Sequence, residues 1–296
     1  GLLRGVAPSI QGQSRINAYA SCLLPRVLWA RGTTYGKHRM FRQVYLRLQA
    51  AVLFGVFLTW VAVLDSGVAS AVQTREYATC MRLARISPHE GFESALAWID
   101  SGGGGAAKHC AAVALFSMGQ YGESAVRFRD LALSIGSDTA ARADLLSQSG
   151  QAWHQAGDID RSFAAYSAAL NLAPRSPEIR VDRAMVLAER GRYREAVEDL
   201  NIALDVDAGA VEALVLRASA HRYLDALDLA FADASRALEL SPLHPEALLE
   251  RGIVARIQGR KNAARRDWLN LLKYYEGTPA GDAAQRNLEL LDVSAK

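Results

Sequence analysis

From Ala143 to about Thr278 the small, apolar and turn-forming positions recur every 34 residues. The segments align when the chain is cut at Ala143, Pro177, Val211 and Pro245. The eighth position is small in all four (Gly150, Ala184, Ala218, Gly252). The fifteenth holds turn formers (Gly157, Gly191, Asp225, Gly259) and the twentieth is small again (Ser162, Ala196, Ala230, Ala264). The twenty-fourth varies in size (Tyr166, Leu200, Ala234, Trp268). Ala169, Ala203, Ala237 and Leu271 follow at the twenty-seventh, and Pro174 and Pro242 at the thirty-second. Apolar residues at helical spacing on both sides of a turn predict two amphipathic helices per segment. Glycine at the turn takes a positive φ at little cost. Small residues at positions eight and twenty let two backbones approach, and the residue at twenty-four fills the space between hairpins. Each hairpin alone leaves an apolar side uncovered, so the units must stack.

The pattern weakens outside this stretch but persists. Residues 72–104 read as a degenerate hairpin, with a first helix over about Thr74–Ile86. Its second helix starts near Pro88 and carries Ala95, Leu96, Trp98 and Ile99. Ser101–Gly105 breaks the chain with glycines. A phosphate loop fails here, because Ala107 precedes Lys108, His109 follows it, and no strand leads in. Gly105 to about Asp138 is a second unit, with Gly119, Tyr121 and Phe128 at turn and packing positions. Thr139–Arg142 is then an insertion, expected to lengthen a helix or shift the pitch. Residues 279–296 hold a last helix. Asp282, Gln285, Arg286 and Glu289 form its polar face, while Ala283, Ala284, Leu288 and Leu291 cover the end of the stack.

Gly, small, large and Pro in this order at this period resemble the tetratricopeptide repeat, well over 105–278 and loosely over 72–104. The resemblance implies an all-α, right-handed α-solenoid of helix-turn-helix hairpins. It also implies a concave groove lined by the first helix of each unit, through positions two, five, nine and twelve, that holds a peptide or partner helix. In this sequence those positions are Asp144, Ser147, Gln151 and His154; Glu178, Val181, Met185 and Ala188; Glu212, Val215, Ser219 and Arg222; and Glu246, Leu249, Ile253 and Arg256. An acidic row (Asp144, Glu178, Glu212, Glu246) would run along one edge and Arg222 and Arg256 along another, with apolar side chains between. The Lys, Asn and Arg of a chaperone-tail carboxylate clamp are mostly absent. A partner with apolar anchors and basic residues fits better. The acids at position two equally suit a helix N-terminus through its macrodipole.

Arg183, Arg217 and Arg251 stand at position seven of three successive units, and Asp199, Asp233 and Asp267 at position twenty-three of the same units. A ligand clamp is one reading. Structural pairing is the other, and the fact that each Arg travels with its own Asp favours it.

Charge divides the chain. Residues 1–71 hold eight basic side chains and one acid, Asp65, which leaves 26 basic and 30 acidic residues in 72–296. A general nucleic-acid binder needs a basic footprint that this balance lacks. Residues 1–39 have scattered Arg, Pro and Gly with no period, and read as disordered or as an extension upstream of the native start. Residues 40–71 have the pattern of a secretory signal: Arg42 and Arg47, an apolar run Ala50–Leu64, and Ala69-Ser70-Ala71 as a cleavage site, giving a mature start at Val72. The alternative is a retained inner-membrane anchor, although the run falls short of the ~20 residues a span needs. Export would leave two cysteines, Cys80 and Cys110, on first helices of adjacent units, where a disulfide is expected. Two buried, reduced thiols are the other possibility.

Catalysis finds no support. His89, His109, His154, His221 and His244 form no metal spacing, and no nucleophile or nucleotide fingerprint is present. His221 reads as a packing residue. No cofactor, metal or small-molecule substrate is expected. The sequence points to a non-enzymatic, periplasmic scaffold holding a protein or peptide in its groove, in envelope assembly, secretion or cell-wall maintenance. The second reading is a membrane-anchored structural subunit of an envelope complex, the only case with membrane contact.

Overall fold

The computed structural model describes residues 73–293, and they form helices joined by short turns. The expected leader, the segment before it and Cys22 lie outside the described residues. Helix α1 covers 73–86. It is followed by α2 (Pro88–Asp100), α3 (Gly104–Ser117), α4 (Tyr121–Ser134), α5 (Thr139–Gln155), α6 (Ile159–Leu172) and α7 (Pro177–Glu189). Then come α8 (Tyr193–Val206), α9 (Val211–Tyr223), α10 (Leu227–Leu240), α11 (Pro245–Ile257), α12 (Lys261–Tyr275) and α13 (Pro279–Val293). Among the described residues there is no strand, and no helix is long and apolar enough to cross a membrane.

Consecutive helices pack as antiparallel hairpins. First helices of successive units also touch, α5 with α7, α7 with α9 and α9 with α11, whereas successive second helices do not to a comparable extent. A stack closer along one row of helices than the other curves toward the closer row. The fold is therefore an all-α solenoid with its first helices on the inner side. Helix α13 packs on α12 and α11, in the place of a further first helix, and buries Ala284, Leu288 and Leu291. Its exposed Asp282, Gln285, Arg286 and Glu289 face water, as the end of a stack requires.

Local chemistry sets the ends of the helices. Proline opens α2, α7 and α11, where its missing N–H is no loss. The side chains of Asp138, Asp158, Ser176 and His244 accept from backbone N–H groups in the first turns of α5, α6, α7 and α11. The four residues 139–142 became the first turn of α5, which has 17 residues against 13 in α7, α9 and α11. Asp138 now caps this lengthened helix, 3.0 Å from the N–H of Ala141.

Positions eight and twenty-four trade volume. A Cβ on Gly150 would meet the Tyr166 ring at 3.0 Å, and one on Gly252 would meet Trp268 Nε1 at 2.3 Å. Tyr166 and Trp268 are both buried, whereas Ala184 goes with Leu200 and Ala218 with Ala234. The exchange runs through three of the four units, with the two bulkiest rings facing the two glycines, and the Ala218 and Ala234 unit is small at both positions. The turn at position fifteen has one irregular member: Asp225 has φ 59°, where the other three units have glycine. An L side chain there is strained, though Asp tolerates it better than most. Asp225→Gly is expected to raise stability by up to about 1 kcal/mol, read as a higher denaturation midpoint. A lower midpoint would mean that the Asp225 side chain makes a compensating contact.

The N-terminal end is tied covalently. Cys80 on α1 and Cys110 on α3 are joined, with Cα atoms 6.2 Å apart, inside a buried cluster containing Ala84, Ala95, Ala111 and Ala114. A hydrogen-bonded chain runs alongside. Tyr77 O–H donates to His109 Nδ1 at 2.9 Å, and His109 Nε2–H to Gln148 Oε1 at 2.9 Å, linking α1, α3 and α5. The amide oxygen accepts, which fixes the tautomer, and burial pushes the His109 pKa down.

Candidate functional site

The inner surface is built from positions two, five, nine and twelve of the first helices. At position two, Asp144, Glu178, Glu212 and Glu246 are all exposed. At position five, Val181, Val215 and Leu249 are half-buried and pack on the main core, and Ser147 is half-buried as well. Position nine holds exposed Gln151 and half-buried Met185, Ser219 and Ile253. Position twelve holds Ala188 and exposed Arg256. A strip of partly accessible apolar side chains thus runs across α7, α9 and α11 beside a line of carboxylates.

Two position-twelve residues already have partners within the protein. Arg222, expected at a groove edge, instead donates to the buried carboxylate of Glu250, at 2.5 Å from Nε and 3.3 Å from Nη2, and to Ser219 Oγ at 3.3 Å. His154 Nε2 lies 2.8 Å from Glu189 Oε1. The physical reason is one slot between successive first helices, where position twelve of one unit meets position six of the next. It carries Arg222 with Glu250 and His154 near Asp182, and Ala188 and Leu216 hold the same two positions in the units between. Glu250 is 7% exposed, so it needs a cation and takes Arg222.

In the equivalent slot Asp182 is less well served. The Tyr166 hydroxyl hydrogen-bonds it and His154 lies nearby, but burial, with Glu178 adding repulsion, holds its pKa above the usual carboxylate value. Asp182, Glu178, Asp207, Glu212 and His244 wall a depression of about 540 Å³ between the N-terminal ends of α7 and α9. A raised folded-state pKa means the native state binds more protons than the unfolded chain. The native form is thus unpenalised below about pH 3.9, the unfolded value, and loses stability as pH rises through the folded value. Asp182→Asn keeps an acceptor for Tyr166 without the charge. It is expected to melt higher than the parent at pH 7 and level with it below about pH 3.9. Equal melting at both pH values would mean that the carboxylate is already neutralised.

The position-seven arginines are occupied within their own units. Arg183, Arg217 and Arg251 each grip Asp199, Asp233 and Asp267 with Nε and Nη2, at 2.7 to 2.9 Å. The aspartates are 2 to 9% exposed, and this bidentate geometry satisfies them. Arg180 also reaches Asp199, as well as the carbonyl of Pro174. Arg183 extends to Ser167 and Arg217 to Asn201, so these guanidinium groups also bridge to the preceding second helix. His221 lies 3.9 Å from Asp233, and burial lowers its pKa.

Two family models, each described as a tetratricopeptide repeat, match residues 150–221 and 228–284. Among curated proteins, Protein unc-45 homolog B of Danio rerio is 30% identical over 102 residues, 33% of this chain and 11% of that protein. Protein O-mannosyl-transferase TMTC1 of Homo sapiens is 28% identical over 38% of the chain and 13% of its own length. RNA polymerase II-associated protein 3 of Homo sapiens is 26% identical over 49% and 22%. The chain therefore spans less than a quarter of each of these relatives. Among solved structures, YrrB, described as "a TPR protein with an unusual peptide-binding site", superposes with TM-score 0.50 at 15% identity, over 64% of this chain and 96% of that one. MamA of Desulfovibrio magneticus RS-1 gives 0.51 at 17% identity, over 56% and 93%.

Proposed function

This chain belongs to the tetratricopeptide-repeat family, and from that premise we propose that it is an exported, non-enzymatic scaffold whose inner surface binds a peptide segment carrying apolar anchors and basic side chains. The observation that carries the reading is the coincidence of two features on the first helices. The apolar strip of Val181, Val215, Leu249 and Ile253 lies partly open, and Glu178, Glu212 and Glu246 stand exposed beside it. Apolar side chains would supply the binding energy and the carboxylates the choice of partner. The half-buried carboxylate of Asp182 adds to this. A lysine or arginine entering the depression between α7 and α9 would give this carboxylate a charge partner that offsets its desolvation, which favours a basic side chain there. The peptide-binding site named for YrrB accords with a peptide partner.

Export rests on Arg42 and Arg47, the apolar run Ala50–Leu64 and the Ala69-Ser70-Ala71 site, together with a cysteine pair suited to an oxidising compartment. We place the mature protein in the periplasm, in envelope assembly, secretion or cell-wall maintenance. A retained anchor would instead make it an inner-membrane subunit. Mass spectrometry of the native N-terminus separates the two, with a peptide starting at Val72 expected.

The test of the groove is affinity capture from periplasmic extract with the parent and the double variant Glu178→Lys, Glu212→Lys. Both positions are exposed, so the fold should survive. The parent is expected to retain a partner that the variant loses. Equal recovery of every protein would overturn the groove reading.

A further inference from the structure

The outer side of the stack has an opening at one unit. In the units that start at α7 and α9, the position-seven arginine lies between successive second helices, reaching Asp199 on α8 and Ser167 on α6, or Asp233 on α10 and Asn201 on α8, and in the next unit Arg251 holds Asp267 on α12. In the unit formed by α5 and α6 both members of that pair are missing. Position seven is Ser149, whose hydroxyl turns to the carbonyl of Ala125 at 2.8 Å, and position twenty-three is Ala165. The slot that arginine fills elsewhere is left as a groove of about 490 Å³ between α4 and α6, with α5 as its floor.

The lining has a definite chemistry. Leu146 and Trp153 of α5 form the floor, with Ala165 and Leu172 of α6 beside them, and Leu133 of α4 stands on the rim at 70% exposure. The charges of the lining are Arg129, Arg142 and Arg161, with no carboxylate among them. Arg161 stacks on Trp153 at 4.6 Å from the ring centroid and lies 3.4 Å from Asp158, and Arg129 pairs with Asp130 of its own helix. The Arg142 guanidinium makes no ion pair or hydrogen bond among the described residues, its backbone N–H being bonded to the Asp138 carbonyl. Its place in the first turn of α5 follows from the four-residue insertion, which the regular units lack.

We propose that this groove docks an acidic amphipathic helix of a partner protein. An apolar floor offers no backbone partners, so the occupant must satisfy its own N–H and C=O groups, as a helix does. The floor from Arg142 to Trp153 is about 16 Å long at 1.5 Å per residue, enough for three helical turns. Apolar residues at i, i+3, i+4 and i+7 would lie on Leu146, Trp153 and Leu133, with flanking Glu or Asp meeting the three arginines. The surface is opposite in charge to the inner groove, so one chain would hold two different segments on its two sides.

The test is fluorescence anisotropy of two labelled 15-residue helical peptides with Leu at those spacings, one flanked by Glu and one by Lys, titrated with the whole protein. The Glu peptide is expected to saturate, with the Lys peptide at least tenfold weaker. Leu133→Glu and Arg142→Glu should each weaken the Glu peptide at least tenfold. Ser149→Arg with Ala165→Asp, which installs the pair of the neighbouring units, should abolish binding while circular dichroism and melting stay native. Failure of the Glu peptide to bind, equal binding of both peptides, or indifference to all three variants would overturn the proposal. So would capture by vesicles containing phosphatidylglycerol in the absence of peptide binding, which would assign the arginines to a lipid surface. Glu178→Lys with Glu212→Lys should leave this binding untouched, so its outcome is separate from that of the inner groove.

Discussion

Gly252→Ala is expected to lower the unfolding free energy by about 1–3 kcal/mol, the range for overpacking a dense core. The direction is informative because helix propensity alone predicts a gain of about 1 kcal/mol for glycine to alanine. The clash wins because the atom met at 2.3 Å belongs to the indole of Trp268, a rigid ring with no exposed surface and its N–H directed at the carbonyl of Leu249. Trp268→Leu alone should also destabilise, by leaving a cavity. In the double variant the new methyl enters the space the indole vacates, reproducing the Ala184 and Leu200 combination of another unit. Urea denaturation of all four proteins should therefore show a double variant at least about 1 kcal/mol better than the two losses summed. Strict additivity, or no loss in Gly252→Ala, would contradict the volume exchange between positions eight and twenty-four.

Removing the cross-link at the other end should have a larger effect. Cys80 and Cys110 are 30 residues apart, and a loop of that length stabilises by about 3–4 kcal/mol in the chain-entropy account. The effect should be local. In a stack whose units touch only their neighbours, an end unit can open without the rest. Beyond the bond, α1 is held by the buried Cys80 and Ala84 and by Tyr77 on His109. In Cys80→Ser, amides of α1 and α2 are expected to lose hydrogen-exchange protection while those of α7 to α12 keep theirs. Uniform loss along the chain would show that the array unfolds as one unit.

The fold could be read from the sequence because a repeat states the same packing problem several times. Gly157, Gly191 and Gly259 share one turn, and Asp225 could be placed in it by counting. Arg217 and Asp233 could be found together the same way, since both lie in one unit and recur with the period. Contacts between units were harder to see. Arg222 and Glu250 are 28 residues apart and meet only because neighbouring first helices pack at one register. The sequence suggested Arg222 as a groove residue because nothing local shows the buried carboxylate that holds it. Asp182 is hidden for the same reason, since its surroundings come from Tyr166, His154 and Glu178 on two units. The open groove beside α5 did leave a trace. Ser149 and Ala165 stand where three other units have Arg and Asp, an interruption of a repeated pair that only becomes a site once α4 and α6 are seen to flank it.

Site-directed photo-crosslinking reads out whether the first helices present the binding surface. A benzophenone amino acid placed at Val215 or Ile253, on the inner strip, is to be compared with one at Glu198 or Arg236, exposed on the second helices α8 and α10. In periplasmic extract the inner positions should give one discrete adduct, lost when Glu178 and Glu212 are changed to Lys, and the outer positions none. Adducts from the outer positions only, or the same adducts from both sides, would contradict a binding surface on the first helices.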